Sequence, residues 1–130
     1  MTKILLTLLL SIATLFSAMT KEDISPAFLK KGIKIFDIRT KPEWIQTGII
    51  DNSIPLTFFD EQGNYDVQKF VDTLQLHIKT NESFALICAT GNRTNIVSNF
   101  LGKNGFNVID LKGGIMGAKR LGIKLVPYKK

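Results

Sequence analysis

The sequence has very few of the residues that build disulfides and metal sites. Among its 130 residues there is one cysteine, Cys88, and one histidine, His77. A single cysteine excludes an internal disulfide. His77 falls on the polar side of a predicted helix, far along the chain from Cys88, which argues against a cysteine–histidine protease. No second metal-type ligand lies near Cys88, so we expect no metal and no cofactor.

The sequence also lacks an apolar run of the roughly 20 residues that a transmembrane helix needs. Residues 4–16 are apolar apart from three hydroxyl residues, which is the length of a signal-peptide core. We therefore expect residues 1–20 to form a signal peptide that is cleaved near residues 18–20 and directs export to a bacterial periplasm. An uncleaved membrane anchor is the alternative, whereas no stable membrane insertion is expected after cleavage. No cysteine follows the run closely, which excludes a lipoprotein anchor.

Positive charge dominates, with 17 lysine and arginine residues against 11 acidic residues and a formal net charge of +6. A nucleic-acid-binding protein would combine such a charge with interleaved aromatic residues or a known motif, and neither is evident. Either a basic rim attracts small anionic substrates, or these side chains form an ordinary solvated surface. The basic residues near the C-terminus are Lys112, Lys119, Arg120, Lys124, Lys129 and Lys130.

Residues 21–130 contain no repeat, low-complexity run or linker and have the length of one domain. Strand-like segments at 33–37, 84–87 and 108–111 alternate with helical patterns. This alternation predicts an α/β fold in which helices cover both faces of a central parallel sheet. Ligands of such sheets bind beyond the carboxyl ends of the strands, which is where Asp37 and Cys88 lie. The helices are predicted at Pro26, at Pro42, after Asp66, around Ile96 to Leu101 and from Gly114 towards Gly122.

Cys88 follows the apolar segment Phe84–Ile87 and opens a short loop that runs into a helical pattern. Backbone N–H groups at the start of a helix stabilise an anion, and both the helix dipole and Arg93 add to that effect. A lone cysteine is often simply a small core residue, but here apolar residues flank it on one side only. We therefore interpret Cys88 as a reactive thiol.

Three segments resemble signatures of the single-domain rhodaneses, a family of sulfurtransferases. The segment Asp37-Ile38-Arg39-Thr40, with Glu43-Trp44 after it, is similar to the first signature of that family. The loop Cys88–Thr94 is similar to the active-site loop, and Leu111–Ile115 is similar to the closing signature. The three segments occur in the family's order and together extend over nearly all of residues 21–130.

The resemblance implies a rhodanese-like fold and a sulfurtransferase that moves a sulfane sulfur from thiosulfate or a persulfide to a thiol or cyanide. Cys88 would be the catalytic nucleophile and would carry the sulfur as a persulfide. The implied partners are small sulfur-containing anions or thiols and a protein sulfur acceptor, with no nucleic acid. Gly91 and Asn92 are the candidates for a left-handed backbone conformation in the loop. The implied substrate-binding loop consists of Ala89, Thr90, Gly91, Asn92, Arg93 and Thr94.

Two of these loop residues have alternative interpretations. Arg93 either binds the anionic end of the substrate or pairs with a buried acid such as Asp37. Thr94 either hydrogen-bonds the loop or caps the helix. Asp37 and Arg39 are expected to form the supporting scaffold of the site.

Two segments depart from the family pattern at positions that do not carry the sulfur chemistry, and the departures bear on the identity of the substrate. Ile49–Ser53 stand where the family usually has a histidine and a proline-glycine-alanine run, and Met116–Ala118 stand where an aromatic residue is usual. A related phosphatase loop places five residues between its cysteine and arginine, whereas four lie between Cys88 and Arg93, which suits a compact sulfur site better than a phosphate site. The alternative from another functional class is a catalytically weak binding or redox-sensor module that keeps the thiol.

Overall fold

The computed structural model describes residues 19–129, in which seven strands and five helices occur along the chain. The strands are β1 (Met19–Asp23), β2 (Lys34–Asp37), β3 (Ile49–Ile50), β4 (Ile54–Pro55), β5 (Phe84–Ile87), β6 (Val108–Lys112) and β7 (Leu125–Val126). The helices are α1 (Pro26–Leu29), α2 (Lys41–Thr47), α3 (Val67–Gln75), α4 (Asn92–Lys103) and α5 (Gly114–Arg120).

Five of the strands form one parallel sheet in the order β1-β6-β5-β2-β4. The register pairs Ile35 of β2 with Ala85 of β5, and Ala85 in turn with Ile109 of β6. All four residues of β5 are buried, as expected for a central parallel strand covered on both faces. The two short strands β3 and β7 pair antiparallel beside this sheet.

Helices cover both faces of the sheet because successive residues of a strand point to opposite sides. Phe84 and Leu86 of β5 pack into one apolar cluster with residues of α3 and α4. Ala85 and Ile87 pack into a second cluster with residues of α1 and α5. The predicted α/β fold, with a central parallel sheet and helices on both faces, is therefore confirmed.

Two predicted helix faces differ in detail from the structure. The apolar pattern after Asp66 predicts a face that extends to Ile78, but α3 ends at Gln75 and Ile78 packs against the core from the following turn. Around α4, Val97 is fully buried, whereas Ile96 is 59 % exposed and Phe100 is 39 % exposed. This helix turns the row Thr94, Val97, Ser98 and Leu101 towards the sheet instead, so polar residues replace part of the expected apolar stripe.

Strand β1 was not predicted, since the sequence places its first two residues within the expected signal peptide. Met19 and Thr20 pair with Val108 and Ile109 of β6. Met19 also packs closely against α4, where a Cβ atom on Gly102 would lie 2.9 Å from the Met19 Cβ. The remainder of the predicted signal peptide, residues 1–18, lies outside the described residues. None of the helices within residues 19–129 is long and apolar enough to cross a membrane.

Candidate active site

Cys88 lies at the carboxyl end of β5, the middle strand of the sheet, and it is 1 % exposed. Its sulfur belongs to the apolar cluster beneath α3 and α4, together with Phe84 and Leu86. The alternation of the strand explains this placement, because every second residue faces the same side. The strand therefore delivers the thiol to the edge of the sheet where parallel α/β proteins bind ligands.

The loop after Cys88 turns back so that a backbone N–H group reaches the sulfur. The Gly91 N–H donates to Cys88 Sγ across 3.2 Å. Gly91 has a φ of 115°, a left-handed conformation that glycine adopts without a steric penalty. Asn92, the other candidate for this conformation, is instead the first residue of α4. The resemblance implies that the loop Ala89–Thr94 surrounds the sulfur, but within the described residues Gly91 provides the only backbone N–H that donates to it, and the chain enters the helix at Asn92.

The Thr94 hydroxyl is the second polar group at the sulfur. Thr94 Oγ1 accepts from the Cys88 thiol at 3.5 Å and donates to the Gly91 carbonyl oxygen at 3.2 Å. A hydroxyl can rotate, so the same group can donate to the sulfur once the thiol has lost its proton. The predicted loop hydrogen bond of Thr94 is confirmed, whereas the predicted helix cap is wrong because Gly91 is the N-cap residue.

The start of α5 holds the other side of the cysteine loop. The Ile115 N–H donates to the Cys88 carbonyl oxygen at 2.9 Å, and the Met116 N–H donates to the Ala89 carbonyl oxygen at 3.0 Å. This approach requires glycine at position 114, because a Cβ atom there would lie 2.5 Å from both carbonyl oxygens. The double glycine of the closing signature thus forms the turn and also allows α5 to hold the cysteine in position.

Asp37 and Arg39 form a buried ion pair next to the cysteine loop. Arg39 Nη2 donates to Asp37 Oδ2 at 2.8 Å and to the Gly48 carbonyl oxygen, Nε donates to Asp37 Oδ1, and Nη1 donates to Thr47 Oγ1. Trp44 Nε1 donates to Asp37 Oδ1 at 3.0 Å. Because these groups satisfy one another away from water, they join the end of β2 to α2, in keeping with the predicted scaffold.

Arg93 forms a two-point ion pair with Glu43. Arg93 Nη1 donates to Glu43 Oε1 at 2.7 Å, and Arg93 Nη2 donates to Glu43 Oε2 at 2.8 Å. Of the two sequence interpretations, pairing with an acid is the one present in this structure, although Asp37 is the wrong acid because Arg39 already occupies it. The binding of a substrate anion by Arg93 stays a prediction.

The electrostatics of this pair reinforce the geometry. The hydrogen bonds from Arg93 lower the pKa of Glu43 from 4.5 to about 2, with smaller help from Thr40. The same hydrogen bonds raise the pKa of Arg93. Both partners are therefore charged across the physiological pH range.

Glu43 and Gly114 are the residues whose part in the site sequence reasoning missed. Glu43 was placed in the first turn of a helix, which is correct, but its pairing with Arg93 was not foreseen. The signal available was indirect, since an acid after β2 and a base after β5 reach the same edge of the sheet. Among residues 19–129, no group of three or more His, Cys, Asp or Glu side chains is placed to hold a metal ion. The groups that the site does bring together suit covalent chemistry at a sulfur nucleophile.

Comparisons with known proteins agree with this architecture. The model of the rhodanese-like domain family matches residues 21–120. A rhodanese-related protein from Thermoplasma volcanium superposes with a TM-score of 0.63 at 27 % identity, over 82 % of this chain and 99 % of that one. A rhodanese-like domain protein from Staphylococcus aureus superposes with a TM-score of 0.56 at 20 % identity, over 83 % and 97 % of the two chains.

One similar structure is part of a much longer chain. Reduced CoADR-RHD from Bacillus anthracis superposes with a TM-score of 0.62 at 18 % identity, over 87 % of this chain but 18 % of that one. A search of curated proteins finds no match. The family model, the parallel sheet and the cysteine loop after β5 agree, and the chain belongs to the rhodanese-like domain family.

Proposed function

We propose that this protein is a sulfurtransferase that carries a sulfane sulfur on Cys88. Its donor is thiosulfate or a persulfide, and its acceptor is cyanide or a thiol, either small or on a protein. Membership of the rhodanese-like family supports this class of reaction. Because a fold hosts many functions, the specific activity has to be argued from the atoms around the sulfur.

The observation that carries the proposal is the polar setting of an otherwise buried thiol. Cys88 Sγ lies among apolar side chains, but it accepts a hydrogen bond from the Gly91 N–H and contacts the Thr94 hydroxyl. Both groups lie at the start of the twelve-residue helix α4. A buried charge is costly unless hydrogen bonds compensate it. The helix N-terminus and these two donors offer that compensation to a thiolate or to a persulfide anion in the same place.

The reaction follows from two displacements at sulfur. The Cys88 thiolate attacks the outer sulfur of the donor, the Cys88 Sγ–S bond forms, and the donor's S–S bond breaks to release sulfite or a thiolate. The acceptor then attacks the outer sulfur of the Cys88 persulfide, which returns Cys88 to its thiolate. Sulfane sulfur moves without net oxidation, so no external oxidant or reductant is needed. Both steps require one nucleophilic cysteine, and the sequence contains one.

The test is the mass of the intact protein after incubation with a donor, for the parent and for Cys88→Ser. We expect the parent to gain one sulfur atom and the variant to gain none. Cyanide should remove the added sulfur, and thiocyanate should appear in proportion. If neither thiosulfate nor an alkyl persulfide adds sulfur to folded parent protein, the sulfurtransferase proposal is wrong.

A redox-sensing or binding module is the second candidate. Two features favour it, since Cys88 is 1 % exposed and the cation of its loop is already paired with Glu43. A thiol used in this way would form a sulfenic acid or a mixed disulfide on oxidation and would not pass sulfur to cyanide. The same mass measurement therefore separates the two candidates.

We also propose that the protein is exported to the periplasm and that its leader is removed before Met19. The apolar residues 4–16 support export, and a cut after Ala18 would keep the pairing of Met19 and Thr20 with β6. A cut after Thr20 would remove two residues that pair with β6.

A further inference from the structure

The Glu43–Arg93 pair has a consequence for the donor that loads Cys88, if the proposed sulfurtransfer takes place. Arg93 is the basic residue of the cysteine loop, and both of its terminal nitrogens bind the Glu43 carboxylate. A carboxylate and a sulfonate present oxygens of similar geometry to a guanidinium group. Glu43 therefore takes up both of the Arg93 nitrogens to which the sulfonate end of a donor such as thiosulfate could otherwise bind.

Glu43 is well held in this position. It lies in the first turn of α2, where Glu43 Oε1 also accepts from the Thr40 N–H and the Thr40 hydroxyl. Trp44, the next residue, is buried and bonded to Asp37. A donor anion that competes for Arg93 must separate this ion pair, whose carboxylate is also held by Thr40.

The surroundings of the sulfur contain few other groups that could bind an anionic donor. In the part of the chain that the structure describes, its hydrogen-bonding partners are the Gly91 N–H and the Thr94 hydroxyl. The residue next to Cys88 is Ala89, which carries no charge. Thiosulfate has two negative charges, so its attack by a thiolate gathers three negative charges at two neutral donors and the N-terminus of α4, which carries only a partial positive charge. An alkyl persulfide has at most one charge on its sulfur atoms.

We propose that Glu43 is a specificity-determining residue that withholds Arg93 from anionic donors, so that alkyl persulfides load Cys88 in preference to thiosulfate. In this reaction the Cys88 thiolate attacks the outer sulfur of R–S–SH, the Sγ–S bond forms, and the alkyl thiolate R–S⁻ leaves. Charge is conserved, because one thiolate replaces another. Glu43 acts through Arg93 and does not touch the reacting sulfur atoms.

The experiment compares the second-order rates at which the intact protein gains one sulfur from thiosulfate and from 2-hydroxyethyl persulfide, whose alkyl chain is uncharged. In the parent we expect the persulfide to load faster by about tenfold or more. In Glu43→Gln, where Arg93 loses its charged partner, we expect thiosulfate loading to rise about tenfold while persulfide loading changes little. A tenfold change corresponds to about 1.4 kcal/mol, the scale of one partly exposed charge interaction.

The matched control is Glu61→Gln, which removes one negative charge from an exposed residue of the loop between β4 and α3. It should leave both rates unchanged, so a general effect of net charge would appear there. The thermal unfolding of each variant is measured beside the rates. Because the parent ratio needs no variant, the proposal stays testable even if Glu43→Gln does not fold.

Each outcome has a distinct meaning. Equal or faster thiosulfate loading in the parent overturns the donor preference but leaves the sulfurtransferase proposal intact. A parent that prefers persulfide, with no rise in thiosulfate loading in a folded Glu43→Gln, overturns the role of Glu43. Loading by neither donor rejects the sulfurtransferase proposal and this inference with it.

Discussion

Cys88 is 1 % exposed, so its chemistry depends on the few polar atoms around it more than on bulk water. Removing the thiolate from water disfavours the charge. The Gly91 N–H and the Thr94 hydroxyl, at the start of α4, act in the opposite direction. The hydroxyl at position 94 and the left-handed glycine at position 91 therefore contact the sulfur directly, whereas Arg93 and Glu43 hydrogen-bond to each other and not to it.

At this residue scale, we predict that the Glu43–Arg93 pair makes stability sensitive to acid. The folded state lowers the pKa of Glu43 from 4.5 to about 2. The pair therefore contributes fully above pH 4.5, and its contribution is lost as the pH falls towards 2. Since Glu43 is partly exposed, we expect this contribution to be on the order of 1 kcal/mol.

The measurement is the free energy of urea unfolding between pH 6 and pH 2.5, chosen to span that range. The parent should lose more stability than Glu43→Gln across this range, whereas Glu61→Gln should follow the parent. Parallel curves for the parent and Glu43→Gln would contradict the prediction.

At the scale of elements, the cysteine loop is held between α4 and α5. Helix α4 begins directly after the loop, and α5 donates two backbone N–H groups to the carbonyl oxygens of Cys88 and Ala89. The glycine at the start of α5 lets the two segments approach this closely. Two helices and a strand thus position the cysteine loop, and we expect a substitution on α5 to change the position of the Cys88 sulfur.

We predict that Gly114→Ala disturbs the loop and slows sulfur loading. Gly114 has a φ of 61°, and an added Cβ would lie 2.5 Å from the Cys88 and Ala89 carbonyl oxygens. The left-handed conformation alone costs a non-glycine residue about 1–2 kcal/mol, and overpacking adds about 1–3 kcal/mol.

Gly32→Ala is the matched control, because Gly32 has a φ of 71° and an added Cβ would meet nothing within 4 Å. It should show the conformational cost alone, with an unchanged rate of sulfur loading per folded molecule. Equal losses of stability and rate in the two variants would show that contact with the loop is unimportant. Unfolding free energies and intact-mass time courses give both quantities.

At the scale of the whole molecule, a parallel sheet between two apolar clusters carries the site. The edge strand β1 completes the sheet beside β6, and Met19 packs into the cluster that contains Cys88. Cys88, after the middle strand, and Met19, on the edge strand, therefore belong to the same apolar core.

We predict that protein beginning at Met19 is more stable than protein beginning at Lys21. The shorter form loses the pairs of Met19 and Thr20 with β6 and the packing of Met19 on α4. Partial burial of one methionine side chain is worth about 1–2 kcal/mol, which lowers the melting temperature by roughly 4–8 °C for a domain of this size. Calorimetry on the two forms measures the difference, and equal melting temperatures would contradict it. Sequencing the N-terminus of exported protein tests the proposed cut after Ala18.

Much of the fold was predictable because its signals are local. The cap at Ser25, the strand before Cys88 and the double glycine before α5 are recognisable from neighbouring residues alone. β1 was missed because Met19–Asp23 is mostly polar and directly follows an apolar run. It therefore shows neither an apolar segment of its own nor the alternation of apolar and polar residues that marks a strand. The short β3–β7 pair was missed for a similar reason, since two residues on each strand carry no periodicity.

The candidate nucleophile could be identified from local sequence, because the one cysteine stands between a predicted buried strand and a predicted helix start. The acid with which Arg93 pairs cannot be identified from local sequence. Glu43 and Arg93 stand 50 positions apart, and no local pattern states which acid will reach a given base. The tertiary structure determines the pairing. Arg39 pairs with Asp37 inside the core, and Glu43, at the same edge of the sheet, is the acid that pairs with Arg93.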